Sequence, residues 1–195
     1  MDKRVILTTG TPRVGKTTIA RLLASKLDAS YVNLTELATT EGLVLDTDTV
    51  RGSLIVDEKK MRQRIGEIIR TSDKENIVID GHYAANVVPE QLVSHVFVLR
   101  RNPKQLKRLM EQSNFAENKI SENLASEILD VCLVDALNAH EQEKVCEIDV
   151  TGKSARGSVN EILEILNGSR KCCVGIVDWL GTLENEGILD GYLKI

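Results

Sequence analysis

Nine residues near the start, 10-GTPRVGKTT-18, have the types and spacing to hold a phosphate. Gly10, Gly15, Lys16 and Thr17 match the Walker A pattern in full, between an apolar strand and a helical stretch. The glycines let the backbone curl so that successive N–H groups converge on an anion, and the helix start adds a partial positive charge. The expected phosphate contacts are Gly10, Arg13, Val14, Gly15, Lys16, Thr17 and Thr18. Lys16 should reach the β- and γ-phosphates, Thr17 should ligate Mg2+, and Thr18 should help at the α-phosphate. Arg13 is the oddity, a long charged side chain inside a loop that wraps closely around its ligand.

A second carboxylate is needed to hold the metal, and Asp80 closes the apolar run Ile77-Val78-Ile79. Thr17 and Asp80 are therefore the expected metal residues. His82, two residues on, should point into the same crevice and orient a water or a phosphate. His95 opens an apolar strand and reads as structural, while His140 reads as a solvated helix residue. Arg100, Arg101, Lys104, Lys107 and Arg108 form a basic stripe from a strand exit along the next helix, with Arg108 and Arg100 ranked first for phosphate contact. Glu36, Asp46, Asp48, Asp57 and Glu58 make an acidic segment where a nucleotide kinase would bind its acceptor.

These residues need elements to place them. Short apolar runs at 5–9, 30–33, 76–80, 95–99 and 146–150 read as strands. Helical periodicity covers 15–27, 57–71, 103–112, 120–142 and the stretch through Val159, Ile162, Leu163 and Leu166. Apolar strands alternating with helices predict an α/β fold, a mostly parallel sheet covered on both faces. Its ligands bind beyond the carboxyl ends of the strands, which gathers the 10–18 loop, the Asp80 turn and the Arg100 turn around one crevice. Residues 1–168 are expected to form the domain, and 169–195 an extension packing back on it.

The chain has 195 residues, 42% of them hydrophobic and 28% charged, as in an ordinary globular domain. A net charge of −4 argues against autonomous nucleic-acid binding. No apolar run approaches the roughly 20 residues of a membrane span, and the start does not read as a signal peptide. Cys132, Cys146, Cys172 and Cys173 are expected to be reduced thiols of a cytoplasmic protein.

The set GTPxVGKTT, Tyr31-x-Asn33 with Leu37, Val56-Asp57-Glu58, Ile79-Asp80-x-His82 and Val96-Phe97-Val98-Leu99-Arg100 resembles the archaeal and nuclear adenylate kinases. These are the isoenzyme 6 type, known in humans as coilin-interacting nuclear ATPase. The resemblance covers residues 4–165 and implies a P-loop NTPase fold of the nucleoside-monophosphate-kinase type, with five parallel strands in the order 2-3-1-4-5. It implies Mg2+-dependent phosphate transfer from ATP to AMP with accompanying ATPase activity, and a role in small-ribosomal-subunit maturation through ribosomal protein uS11. It places the monophosphate-binding region at 33–56 and a short lid at 111–121. Arg13, Lys16, Asp80 and His82 are then the expected catalytic residues. Arg108 joins the ATP contacts, and Asn33, Arg100 and Asp57 become the expected acceptor contacts.

The chain departs from the resemblance twice. The family usually has glycine where Arg13 stands, and an Arg-Gly-Tyr-like lid triplet where Ser113-Asn114-Phe115 stands here. Some thymidylate kinases are similar in carrying a P-loop arginine and lacking the lid arginine. The expectation is therefore that Arg13 delivers the guanidinium the lid lacks, with an ATPase assembly switch of incidental kinase activity, or decay to a weak ATP-binding scaffold, as the alternatives.

Overall fold

A computed structural model describes residues 3–48 and 53–193, apart from the side chains of Asp48 and Ser53. Residues 49–52, within the expected 33–56 region, and the chain ends lie outside the described residues, as does any role for the Asp48 side chain.

Five parallel strands form the central sheet: β1 (Arg4–Thr9), β2 (Ser30–Asn33), β5 (Asn76–Asp80), β6 (Val93–Arg100) and β7 (Val145–Asp149). Their order is β2-β5-β1-β6-β7. Counted among the parallel strands alone this is second, third, first, fourth, fifth. The labels run higher because an antiparallel hairpin, β3 (Val44–Asp48) with β4 (Ser53–Val56), intervenes. The hairpin was not expected, since its apolar residues do not mark a core: Leu45 is 65% exposed.

Side chains alternate across each strand and so build two cores. Val5, Leu7, Ile77, Ile79, Val96 and Val98 face α3 (Glu58–Thr71), α4 (Ala84–Val87) and α7 (Val131–Ala139). Ile6, Val78, Phe97, Leu99 and Ile148 face α1 (Lys16–Leu27) and α8 (Ala155–Leu166). Each fully buried Leu or Ile contributes about 1.5–3 kcal/mol relative to exposure. The core strand β1 therefore has little freedom, and its C-terminal end launches the phosphate loop. Helix starts are fixed by side-chain caps: Asn33 on α2 (Leu34–Thr40), Asp57 on α3, Asn102 on α5 (Pro103–Glu111) and Ser154 on α8.

The helix expected over 120–142 is two helices, α6 (Glu117–Ile128) and α7. Asp130 breaks it in the left-handed region at φ 58°, where its carboxylate pairs with Arg100. A buried charge overrides a continuous helical pattern here. His140, expected to be solvated, ends α7 buried, with Nε2 at 3.0 Å from the Ala85 carbonyl. The four cysteines are not all free. Cys146 of β7 is joined to Cys172, because the chain after α8 returns along the β7 edge and Glu147 N donates to the Cys173 carbonyl at 2.8 Å. Cys132 and Cys173 are free thiols.

The chain beyond 168 then forms α9 (Trp179–Asn185), which closes a third apolar cluster with Leu106, Met110, Ile120, Leu124 and Ile128. Trp179 is 7% exposed, and its indole N–H donates to Glu127 at 3.1 Å. Trp179→Ala should lower unfolding free energy by about 3–5 kcal/mol, read by urea denaturation followed by circular dichroism. A loss below about 1 kcal/mol would mean that the extension is not part of the folded core.

Candidate active site

The loop between β1 and α1 is shaped by backbone constraint. Gly10 has φ 137°, and a Cβ there would lie 2.5 Å from the Leu99 carbonyl oxygen, so only glycine fits. Gly15 caps α1 at φ 113°. Arg13 also lies in the left-handed region, at φ 69°. A side-chain-bearing residue there costs on the order of 1–2 kcal/mol, which explains why glycine would be the easier choice. Its guanidinium reaches across to the turn after α5, where Nη2 donates to Ser113 Oγ. Ser113 in turn donates to the Leu109 carbonyl at 2.7 Å. The two positions that depart from the family resemblance therefore touch one another.

Lys16 folds back over the loop, donating to the carbonyls of Gly10 at 2.8 Å and Thr11 at 3.0 Å. Burial pulls its pKa down, while Cys132, Asp80 and Glu127 pull it up. Arg13, Gly15, Lys16, Thr17, Thr18, Arg101 and Leu109 line a cavity of about 420 Å³ at the helix N-terminus. Val14 is fully buried and offers its carbonyl to Arg101.

Asp80 ends β5 beside Thr8 of β1 and Asn33 of β2. Its Oδ2 accepts from Thr17 Oγ1 at 2.8 Å, Asn33 Nδ2 at 2.9 Å and Tyr31 OH at 3.0 Å. Its Oδ1 is buried with no partner among the described residues. Thr17 spends its proton on Asp80, which leaves its oxygen lone pairs for a cation, and Asp80 keeps one oxygen for that cation or its water. This donor set fits Mg2+, which binds proteins through one or two oxygens and otherwise through phosphates and water. No cluster of three His, Cys, Asp or Glu capable of holding a metal occurs among the described residues.

On the other side of the loop lies a second cavity, of about 400 Å³, with Thr11, Pro12, Thr35, His82, Lys119 and Asp135 in its wall. His82 has its pKa pushed down to about 4, first by burial and then by Lys16 and Lys119. His82 keeps exposed surface, and its imidazole is neutral at pH 7. Cys132, in the same wall, is held as a neutral thiol by burial, which raises its pKa to about 11.

One expected contact is corrected, and the structure shows where three others lie. Arg100 does not face a phosphate: it is 2% exposed and pairs with Glu127, Asp130 and Glu147. Arg108 is exposed on α5, next to Leu109, which lines the loop cavity. Asn33 is occupied at both ends, by Asp80 and by capping Glu36 N at 2.9 Å. Asp57 caps α3 and pairs with Lys60 at 3.3 Å; the Lys60 backbone N–H is the main cause of its lowered pKa. Two further acidic candidates have partners of their own: Glu36 pairs with Arg21 of α1 at 2.7 Å, and Asp46 accepts from Thr47 N at 2.7 Å.

Sequence reading missed three contributors. Thr11 donates to Glu127 at 2.5 Å across 116 residues, and no local pattern signals this pair. Arg101 was in the basic stripe but ranked below its neighbour. Tyr31 carries no signal of its own in the sequence, yet its OH donates to Asp80.

Comparison with known proteins agrees with this geometry. Residues 6–130 match the family AAA_18, described as "AAA domain". A "Putative adenylate kinase" of Pyrococcus furiosus is 40% identical over 184 residues, covering 92% of this chain and 93% of that protein. Proteins of the same description from Thermococcus kodakarensis and Saccharolobus islandicus are 38% and 34% identical. They cover 90% and 98% of this chain, and 92% and 95% of their own lengths. The chain belongs to the adenylate-kinase-like P-loop kinases. The structure of a gluconokinase from Sinorhizobium meliloti superposes with a TM-score of 0.55, over 86% of this chain and 94% of that one. At 16% identity that likeness shows the shared fold.

This P-loop kinase holds His95 and His140 below their ordinary pKa, chiefly by burial. Between the folded and unfolded pKa values the unfolded chain binds more protons, so stability falls as pH drops below about 6.5. Thermal melts at pH 7.5 and pH 5.5 should show a lower midpoint at pH 5.5. His140→Gln, which can keep a donor toward Ala85, should remove part of that drop. A flat profile would contradict the buried-neutral assignment.

Proposed function

We propose that the protein is an adenylate kinase, transferring the γ-phosphoryl group of ATP to AMP to give two ADP. The observation that supports it is a pair of cavities, each walled in part by the phosphate loop. One is walled by Gly15 to Thr18 and the other by Thr11, Pro12 and His82. A donor on the loop then has room for an acceptor on its far side.

In this reading an oxygen of the AMP phosphate attacks the γ-phosphorus in line. The bond to the β–γ bridging oxygen breaks, and ADP leaves. Lys16 gives up its loop carbonyls to meet the β- and γ-oxygens, and Arg13 approaches the γ-phosphate from the loop side. Thr17 and Asp80 would hold Mg2+, which would neutralise phosphate charge. The protein supplies positioning and fixed charge rather than covalent chemistry.

A second reading, in which water is the acceptor, is favoured by His82, a neutral imidazole in the acceptor-side wall. We propose ATPase turnover as an accompanying activity, in a cytoplasmic protein. No helix among the described residues is long and apolar enough to cross a membrane. The association with uS11 and small-subunit maturation comes into the proposal from the family resemblance, and co-purification with uS11 tests it.

A coupled assay of ADP formed from ATP, with and without AMP, separates the readings. AMP-dependent ADP production is expected; phosphate release indifferent to AMP would replace the kinase with an ATPase. Arg13→Gly should lower kcat/KM by about 10³-fold, the scale on which arginines act in phosphoryl transfer. Adding Ser113→Arg should recover part of that loss. Turnover near wild type in Arg13→Gly alone would mean that Arg13 does not stand in for the lid arginine.

A further inference from the structure

Arg100 and Arg101 are consecutive and meet opposite surroundings. Arg100 is enclosed by three carboxylates. Arg101 donates from Nε to the Val14 carbonyl at 3.0 Å and from Nη1 to Gln105 Oε1 at 2.6 Å, both uncharged acceptors. Among the described residues no carboxylate lies within ion-pair distance of it. It is half-buried, and burial lowers its pKa, with Asp149 and Glu127 acting against this through space. A half-buried guanidinium anchored only by carbonyls keeps its charge for whatever enters beside it.

What it sits beside is the phosphate loop. Its Nη2 lies 3.5 Å from where a Cβ on Gly15 would stand, and it shares the 420 Å³ cavity with Lys16, Thr17 and Thr18. Arg13, anchored on Ser113, occupies the lid side of that cavity. Arg101 is anchored instead toward the β7–α8 loop, since Gln105 also accepts from Gly152 N at 3.4 Å and Asn102 N donates to Thr151 Oγ1 at 2.8 Å. That places it at the helix start, on the wall opposite the lid.

We propose that Arg101 binds the α-phosphate of the donor nucleotide, a nucleoside di- or triphosphate. The proposal rests on the nucleotide-kinase reading. Arg13 and Lys16 then serve the transferring end of the nucleotide, while Arg101 holds the end that does not react. Gln105 acts as a positioning residue that fixes the guanidinium plane. Because Arg101 touches a phosphate that gains no charge during transfer, its loss should raise KM for ATP more than it lowers kcat.

The test is titration calorimetry of ATP, ADP and pyrophosphate into the wild type, Arg101→Gln and Arg101→Lys, with Lys104→Gln as a control. Lys104 pairs with Glu186 at the surface, away from the loop. ATP and ADP should bind Arg101→Gln about 10- to 100-fold more weakly, the worth of a charge-assisted hydrogen bond. Pyrophosphate, which fills only the β/γ cradle, should lose under about 3-fold on the same scale. Arg101→Lys should fall between, and it carries the test should the Gln variant fail to fold. Wild-type affinity for ATP in a folded variant overturns the proposal, as does an equal loss for pyrophosphate. A wild type that binds no nucleotide instead overturns the kinase reading beneath it.

Discussion

Arg100 ends the strand β6 with its guanidinium out of water, and Glu127, Asp130 and Glu147 converge on it. One positive charge among three carboxylates is not self-sufficient. The excess is met by further donors: Thr11 Oγ1, Arg101 N and Trp179 Nε1 on Glu127, and Ile176 N on Glu147. Those donors come from the phosphate loop, the strand exit and the C-terminal extension. Removing one partner of such a group leaves a bare buried charge, at a cost of about 3–5 kcal/mol. The cost ties together elements that the two apolar cores alone would leave independent. The break between α6 and α7, the return of the chain along β7 and the seating of α9 all satisfy this one group.

The site inherits its rigidity from that network. Thr11 is pinned through Glu127, Gly10 is pressed against the Leu99 carbonyl, and Asp80 is held by Thr17, Asn33 and Tyr31. A loop fixed at both ends presents its amides without reorganisation, which is what phosphoryl transfer asks of a protein. Arg13, Lys16 and Arg101 remain anchored on neutral oxygens of carbonyl, hydroxyl or amide groups. Carbonyls, hydroxyls and amides release a cation to a phosphate more readily than a carboxylate would. The same residue type is thus structural at Arg100 and available at Arg101.

How much of this could be read from the sequence depended on whether a signal was local. The phosphate loop, the five parallel strands and the Thr17–Asp80 pairing follow from short patterns whose geometry is set within a few residues. Choosing between Arg100 and Arg101 needed the far side of the fold, because the carboxylates that claim Arg100 lie 27, 30 and 47 residues away. Asn33 and Asp57 looked like ligands because polar residues near a crevice do, yet each was required as a helix cap. His140 ends α7, and the Ala85 carbonyl it meets lies 55 residues away, beyond any local pattern. The Cys146–Cys172 link was hidden for the same reason, since the return of the chain along β7 leaves no local trace.

The proposed adenylate kinase activity requires the two cavities beside the loop to form one two-substrate site. Two adenosines joined by five phosphates probe it directly in a titration against ATP and AMP. One dinucleotide should bind per chain, at least about 10-fold more tightly than ATP, because the second half binds at high effective concentration. The bound dinucleotide should exclude both ATP and AMP. Affinity no better than that of ATP, or AMP still binding beside the dinucleotide, would contradict it.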